Sequence, residues 1–345
     1  MSNAALFRPF SFKGITLPNR IAMAPMTRAK SPHGVPGADV ARYYRRRVEG
    51  GTSLIITEGT YIPRPEAGFD ANVPRFYGED ALAGWKQVVE EVHAAGGRIF
   101  PQLWHVGSVR GIPKVPIEGV EPLSPSGLRK IGEPSGSAMT PAQVESVITA
   151  YGQAARSAKE IGCDGVEFHG AHGYLIDQFF WNESNTRTDI YGGDLVARTR
   201  FAVDVIRETR RQVGPDFPLV LRFSQWKIQD YAAKLATTLQ ELEAFLAPLV
   251  DAGVDVFHCS TRRFWEPEFE GSNLNLAGWT KKLTGKPVIT VGSVTLGQEF
   301  MTTLRTDEHA GTTGLRDLVD RLARDRKSTR LNSSPVALSR MPSSA

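Results

Sequence analysis

The chain has 345 residues, 41 Lys+Arg against 37 Asp+Glu, with 41% hydrophobic and 23% charged residues; this excludes a disordered or fibrous chain and allows a large core. No apolar stretch reaches the roughly 18 residues that a bilayer span needs, and Met1 to Arg20 lacks the basic-then-apolar order of a secretory leader. The expectation is therefore a cytoplasmic protein without a membrane partner, and two cysteines, Cys163 and Cys259, are too few for a disulfide framework or an iron–sulfur site.

Seven short apolar runs recur at wide spacing: Arg20 to Ala24, Ser53 to Thr57, Arg98 to Leu103, Gly165 to His169, Pro218 to Phe223, Val254 to Cys259 and Pro287 to Val291. Near-continuous hydrophobicity, without strict alternation, marks strands covered on both faces, as in a parallel sheet. Helical periodicity fills several of the gaps. Glu79 to Ala95 carries Leu82, Trp85, Val88, Val89 and Val92 at helical spacing and stops at Gly96-Gly97. Thr140-Pro141 with Gln143 opens a helix that should run to about Ile161, with a capping hydroxyl and proline at the first helical position. Leu195 to Val213 and Ala232 to Asp251 supply two more. The Pro- and Gly-rich stretch from His105 to Ser137 is long for a connection and predicts a lid or binding loop.

Strand then helix, repeated without a composition break, argues for one α/β domain, and seven repeats favour a barrel over an open sheet. No GxGxxG follows a strand and no GxxxxGK[ST] occurs, so the open dinucleotide-binding and P-loop readings lose their support. In a barrel the reacting groups lie at the carboxyl ends of the strands. Those ends read Ala24-Pro25-Met26-Thr27, Thr57-Glu58-Gly59-Thr60, Gln102-Leu103-Trp104-His105, His169-Gly-Ala-His172-Gly-Tyr174, Arg222, and Val291-Gly292-Ser293.

Each residue has a plain structural alternative. An amide such as Gln102 often satisfies loop backbone groups. Arg222 lies inside an apolar run, where a guanidinium must be paired or face something anionic. His169 and His172 have the spacing of metal ligands, yet no further converging set presents itself, so no metal site is assigned. A phenol with a pKa of about 10, as in Tyr174, is on general grounds a core aromatic more often than an acid.

The stretch His169-Gly-Ala-His-Gly-Tyr-Leu-Ile-Asp-Gln-Phe179, followed by Asn185-Thr-Arg-Thr-Asp189 and Tyr191-Gly-Gly193, resembles the old yellow enzyme family of FMN-dependent ene-reductases. Asn19-Arg-Ile-Ala-Met-Ala-Pro-Met-Thr-Arg28 and Gln102-Leu-Trp-His105 share the likeness, which runs in unbroken order from about Leu6 to Leu322. The resemblance implies a (β/α)8 TIM barrel that binds FMN, with NADPH or NADH as co-substrate. It implies that Pro25, Met26 and Thr27 pack on the isoalloxazine, the Thr27 hydroxyl donating to its O4. Gly59 would let backbone approach the ring, as only glycine allows. Gln102 would bond the pyrimidine edge, and Arg222 would lie where negative charge collects on reduction. His169 and His172 would hold the carbonyl or nitro oxygen of an enone or nitro substrate, some relatives having Asn at the second position. Hydride would reach the β-carbon, and Tyr174 would protonate the α-carbon. Trp104 and the pair Phe264-Trp265 are candidate pocket walls, with packing as the alternative.

The family's eighth strand ends in a Gly-Arg pair that holds the FMN phosphate together with the glycine after strand seven, here Gly292 with Ser293. In this chain a helix from Asp317 to Arg326 leads only into Lys327-Ser-Thr-Arg-Leu-Asn-Ser-Ser-Pro335, and Val336-Ala337-Leu338 is short for a buried strand. The expected architecture is thus a barrel over 1–326 lacking its eighth strand and helix, with a foreign, disordered tail over 327–345. Residues 326–345 hold the whole positive excess through Arg326, Lys327, Arg330 and Arg340, so the charge says nothing about partners. Lys and Arg are elsewhere scattered among acids, and no nucleic-acid partner is expected. Two alternatives stand beside the ene-reductase: a metal-dependent barrel hydrolase using His169 and His172, and a remnant impaired by an incomplete phosphate site. Whether the chain forms a homo-oligomer stays open.

Overall fold

The computed structural model describes residues 5–294, 318–319 and 336–338. Seven parallel strands curl around one axis: β1 (Ile21–Met23), β2 (Leu54–Tyr61), β3 (Arg98–Trp104), β4 (Val166–His172), β5 (Leu219–Lys227), β6 (Val256–Ser260) and β7 (Val288–Val291). They coincide with the seven apolar runs. Three of them extend at least three residues beyond those runs. Strands β2, β4 and β5 continue through polar residues such as Glu58 and Thr60, because backbone pairing with a neighbour persists after the apolar pattern has stopped.

The place between β7 and β1, empty in the sequence reading, holds β8 (Val336–Leu338) and closes the barrel. Its three residues pair with all of β1, while β7 meets it only through Thr290 and Val336. A strand this short carries no readable hydrophobic pattern; backbone pairing on two sides is enough to define it. The rest of the expected tail, the boundary at 326/327 and most of the helix expected over 317–326 lie outside the described residues. Leu318 and Val319 are described, helical and buried.

Helices α1 (Ala38–Glu49), α2 (Glu79–Ala94), α3 (Pro141–Glu160), α4 (Leu175–Phe180), α5 (Arg200–Val213), α6 (Leu239–Ala252) and α7 (Leu276–Thr284) accompany the sheet. In α2 the expected stripe is buried at Trp85, Val88, Val89 and Val92, each such side chain contributing about 1.5–3 kcal/mol. Thr140 and Gln143 form the capping box expected at the start of α3. Helix α6 begins seven residues later than its periodicity predicts. The reason is a second capping box, Thr238 with Glu241, preceded by a loop whose Leu235 and Ala236 amides are held by the Gln225 side chain. Among the described residues no helix is long and apolar enough to cross a membrane.

Two apolar zones fix where the site can be. The larger lies between strands and helices. The smaller fills the amino-terminal end of the barrel with Leu54, Ile56, Phe100, Val220, Val256 and Ile289, and a hairpin (Phe10–Phe12 with Ile15–Leu17) packs against it through Phe12 and Phe100. With that end plugged, the barrel interior opens at the carboxyl ends of the strands.

Candidate active site

A cavity of about 360 Å³ opens at those carboxyl ends, within the roughly 300–1,000 Å³ typical of small-molecule sites. Pro25, Met26 and Thr27 after β1, Gln102 in β3, His169 and His172 in β4, Tyr174, Arg222 in β5, and Gly292 with Ser293 after β7 all border it. Gly59 does not. A Cβ at Gly59 would lie 2.5 Å from the Trp104 ring, so this glycine makes room for the indole that walls the cavity. Trp104 is a wall as expected, whereas Phe264 is buried with Leu6, Val294, Leu318 and Val319, and Trp265 packs on that cluster.

The reactive end is an aromatic cage. His169 and His172 meet edge to face at 5.1 Å between centroids, Tyr174 lies 4.9 Å from both His169 and Trp104, and Trp226 stacks on His172 at 4.5 Å. His172 has φ of +66°, a left-handed conformation that costs a β-carbon residue about 1–2 kcal/mol. The register shift between Gly170 and His172 and a bond from the His172 amide to Ser224 Oγ hold it there. Beneath this turn Lys227 and Asp177 form a fully buried ion pair at 2.7 Å. The second oxygen of Asp177 accepts from the Gly173 amide.

Burial, with the Arg222 charge adding to it, pushes both imidazoles well below the ordinary histidine range, so they are neutral at pH 7. Burial pushes the Tyr174 phenol up to about 12, with Arg222 acting against it. Arg222 is itself buried. Its Nη2 donates to Ser260 Oγ at 3.2 Å, and its Nε has no protein partner among the described residues. A guanidinium can only donate, so Ser260 accepts from it and turns its own hydrogen to His172 Nε2 at 2.8 Å. His172 then carries its proton on Nδ1.

The run from Asn185 to Gly193, so specific in sequence, is scaffold. Arg187 donates to the carbonyls of Pro125, within the loop that follows β3, and Met139, just after it, and pairs with Asp189. Asn185 bridges the carbonyls of Phe179 and Tyr191. Gly192 is confined by Arg187, whose carbonyl would be 1.8 Å from a Cβ. Sequence reading missed Trp226, Tyr231, Ser260, Thr261 and Arg262, which also line the cavity. Trp226 and Ser260 lie at the carboxyl ends of β5 and β6, and Tyr231, Thr261 and Arg262 follow in loops without periodicity, so the only signal was position beyond an apolar run.

An FMN-sized ligand with an anionic or acceptor edge fits what is left unsatisfied: the buried Arg222 Nε and His169 Nδ1 have no partner among the described residues, and the walls are aromatic. The family model described as NADH:flavin oxidoreductase / NADH oxidase matches residues 5–310. The chain is 35% identical over 271 residues to a protein named probable inactive reductase easA of Epichloe festucae var. lolii, covering 78% of this chain and 71% of that one. It is 40% identical over 226 residues to 12-oxophytodienoate reductase 7 of Oryza sativa subsp. japonica, covering 62% of this chain and 57% of the relative. The structure of morphinone reductase in complex with tetrahydroNAD superposes with a TM-score of 0.78 at 28% identity, covering 97% of this chain and 86% of that one.

Proposed function

The chain belongs to the NADH:flavin oxidoreductase / NADH oxidase family, the old yellow enzyme family its motifs resemble, and from that premise we propose that it is an FMN-dependent reductase of activated alkenes. The observation that carries the reading is the convergence of Thr27, Gln102, His169, His172, Tyr174 and Arg222 on one cavity from four strand ends. Family membership does not favour the metal-dependent hydrolase.

Thr27, Gln102 and Arg222 would hold the polar atoms of the FMN ring system, and Gly292 with Ser293 its phosphate. Bound FMN supplies the redox chemistry, taking a hydride from NADH or NADPH and giving it to the β-carbon of an α,β-unsaturated carbonyl or nitro compound. The fixed cation of Arg222 favours negative charge in the cavity, and its burial makes that attraction strong. His169 and His172, neutral at pH 7, donate N–H bonds to the activating oxygen of the substrate and draw electron density from its double bond. Tyr174 Oη, still protonated at pH 7, delivers a proton to the α-carbon. A phenol is competent for this step because the carbon it protonates is far more basic. Trp104 and Trp226 flank the histidines and exclude water.

Purification followed by visible spectroscopy tests the cofactor: a stoichiometric band near about 450 nm is expected from flavin chemistry. Oxidation of NADH or NADPH that depends on an added enone tests the reaction and ranks the two nicotinamides. A chain that folds but takes up no flavin would overturn the reading. Flavin without turnover would favour the remnant impaired by an incomplete phosphate site.

A further inference from the structure

Beneath the cavity floor, Glu167 points into the barrel from β4 and is fully buried. One carboxylate oxygen accepts from Gln102 Nε2 at 2.8 Å and the other is 2.6 Å from His258 Nδ1. His258 is buried too, and burial draws its imidazole below the usual histidine range. A neutral imidazole facing a carboxylate carries its proton on the facing nitrogen, so His258 Nδ1–H is a second donor to Glu167. A carboxylate accepts and does not donate, which removes the usual ambiguity of an amide: Gln102 must turn its NH2 toward Glu167. Its side-chain bonds to described residues end there, so the carbonyl oxygen and second N–H remain for a ligand. The backbone of Gln102 is equally fixed, its amide donating to Thr57 Oγ1 and its carbonyl accepting from Thr60 Oγ1.

We propose that Glu167 is a positioning residue that locks the Gln102 amide, so that the cavity presents a carbonyl oxygen selecting a ligand with an N–H at its edge. The inference rests on the FMN reading, since the flavin imide N3–H is such a donor. His258 is the strut that keeps the carboxylate from rotating. Without the carboxylate, the Gln102 amide can turn over and the selection for N3–H is lost.

The test compares dissociation constants of FMN and N3-methyl-FMN by fluorescence titration for wild type, E167Q and E167D, with circular dichroism as the check on folding. Wild type is expected to bind FMN at least about tenfold more tightly than the N-methylated form, a difference of about 1.4 kcal/mol. E167Q is expected to bring that ratio close to one. A merely structural role would weaken both ligands alike and leave the ratio unchanged, and that result overturns the proposal. If E167Q does not fold, E167D decides: it keeps the charge but cannot reach Gln102 and His258 together, so its ratio must fall below that of wild type. Wild type binding neither flavin would sink the functional reading itself, and is distinct from wild type binding both with a ratio that E167Q leaves intact.

Discussion

His105 ends the Gln102-Leu-Trp-His105 segment and has no exposed surface. Its Nδ1 accepts from the Gly107 amide at 3.0 Å, so the ring proton is on Nε2, which is buried without a partner among the described residues. Burial, reinforced by the charges of Arg64 and Arg110, pushes its pKa down to about 3. In the unfolded chain the value returns to about 6.5. The folded pKa is thus below the unfolded one, so the unfolded state takes the proton first on acidification. The stabilisation from this residue is complete above pH 6.5 and is lost as the pH falls from there. Between pH 7.5 and 5.5 the linkage comes to about 1.4 kcal/mol. His105→Asn removes it and still offers Oδ1 to the Gly107 amide. Urea unfolding followed by tryptophan fluorescence at both pH values gives four stabilities, and every other titrating group cancels in the double difference. The gap between wild type and variant should shrink by about 1.4 kcal/mol at the lower pH. A gap constant to within about 0.4 kcal/mol, the coupling seen between independent sites, would refute the buried neutral histidine.

Tyr174→Phe removes a single oxygen atom; enone reduction should fall by about 10²–10⁴-fold while flavin content and the rate of nicotinamide oxidation by the flavin stay as in wild type. Equal loss of both rates in stopped-flow traces would mean the phenol is not the proton donor. Ser260→Ala breaks the link from Arg222 to His172 and leaves a buried cationic donor unpaired, so the KM for an enone should rise about tenfold with flavin content unchanged. At Gly68 a Cβ would lie 2.1 Å from the Tyr61 ring, and Gly68→Ala should lower stability by about 1–3 kcal/mol in denaturant titrations. An unchanged midpoint there would show that the ring has room to move.

Strand positions were legible because both faces of a barrel strand are covered, which leaves uninterrupted runs such as Leu219-Val-Leu221. The polar ends beyond those runs were legible only as positions. Arg222 drew attention because a cation inside an apolar run needs a counterpart. The same reasoning applies to Glu167 between Val166 and Phe168, and it would have led to the Gln102 and His258 partners. Other contacts left no local trace. Lys227 with Asp177, or Ser260 with His172, join residues 50 and 88 positions apart, and nothing near either partner announces the other. Gly59 is a different case: the resemblance implies that backbone approaches the ring there, and in the structure a Cβ at this position would meet Trp104. A three-residue strand such as β8 offers no periodicity to read at all.

The seam at β8 sets a timetable for synthesis. Strand β1 leaves the ribosome early, yet the residues that cover its outer edge, 336–338, are about 315 positions later in the chain. At about 5–20 residues per second that interval is roughly 16 to 63 s, during which the sheet can grow from β1 through β7 but must keep both outer edges unpaired. A nascent chain in this condition offers a sticky strand to any neighbour on the same polysome. Ribosome spacing and chaperone supply, more than equilibrium stability, would then decide how much of the protein a cell recovers in closed form.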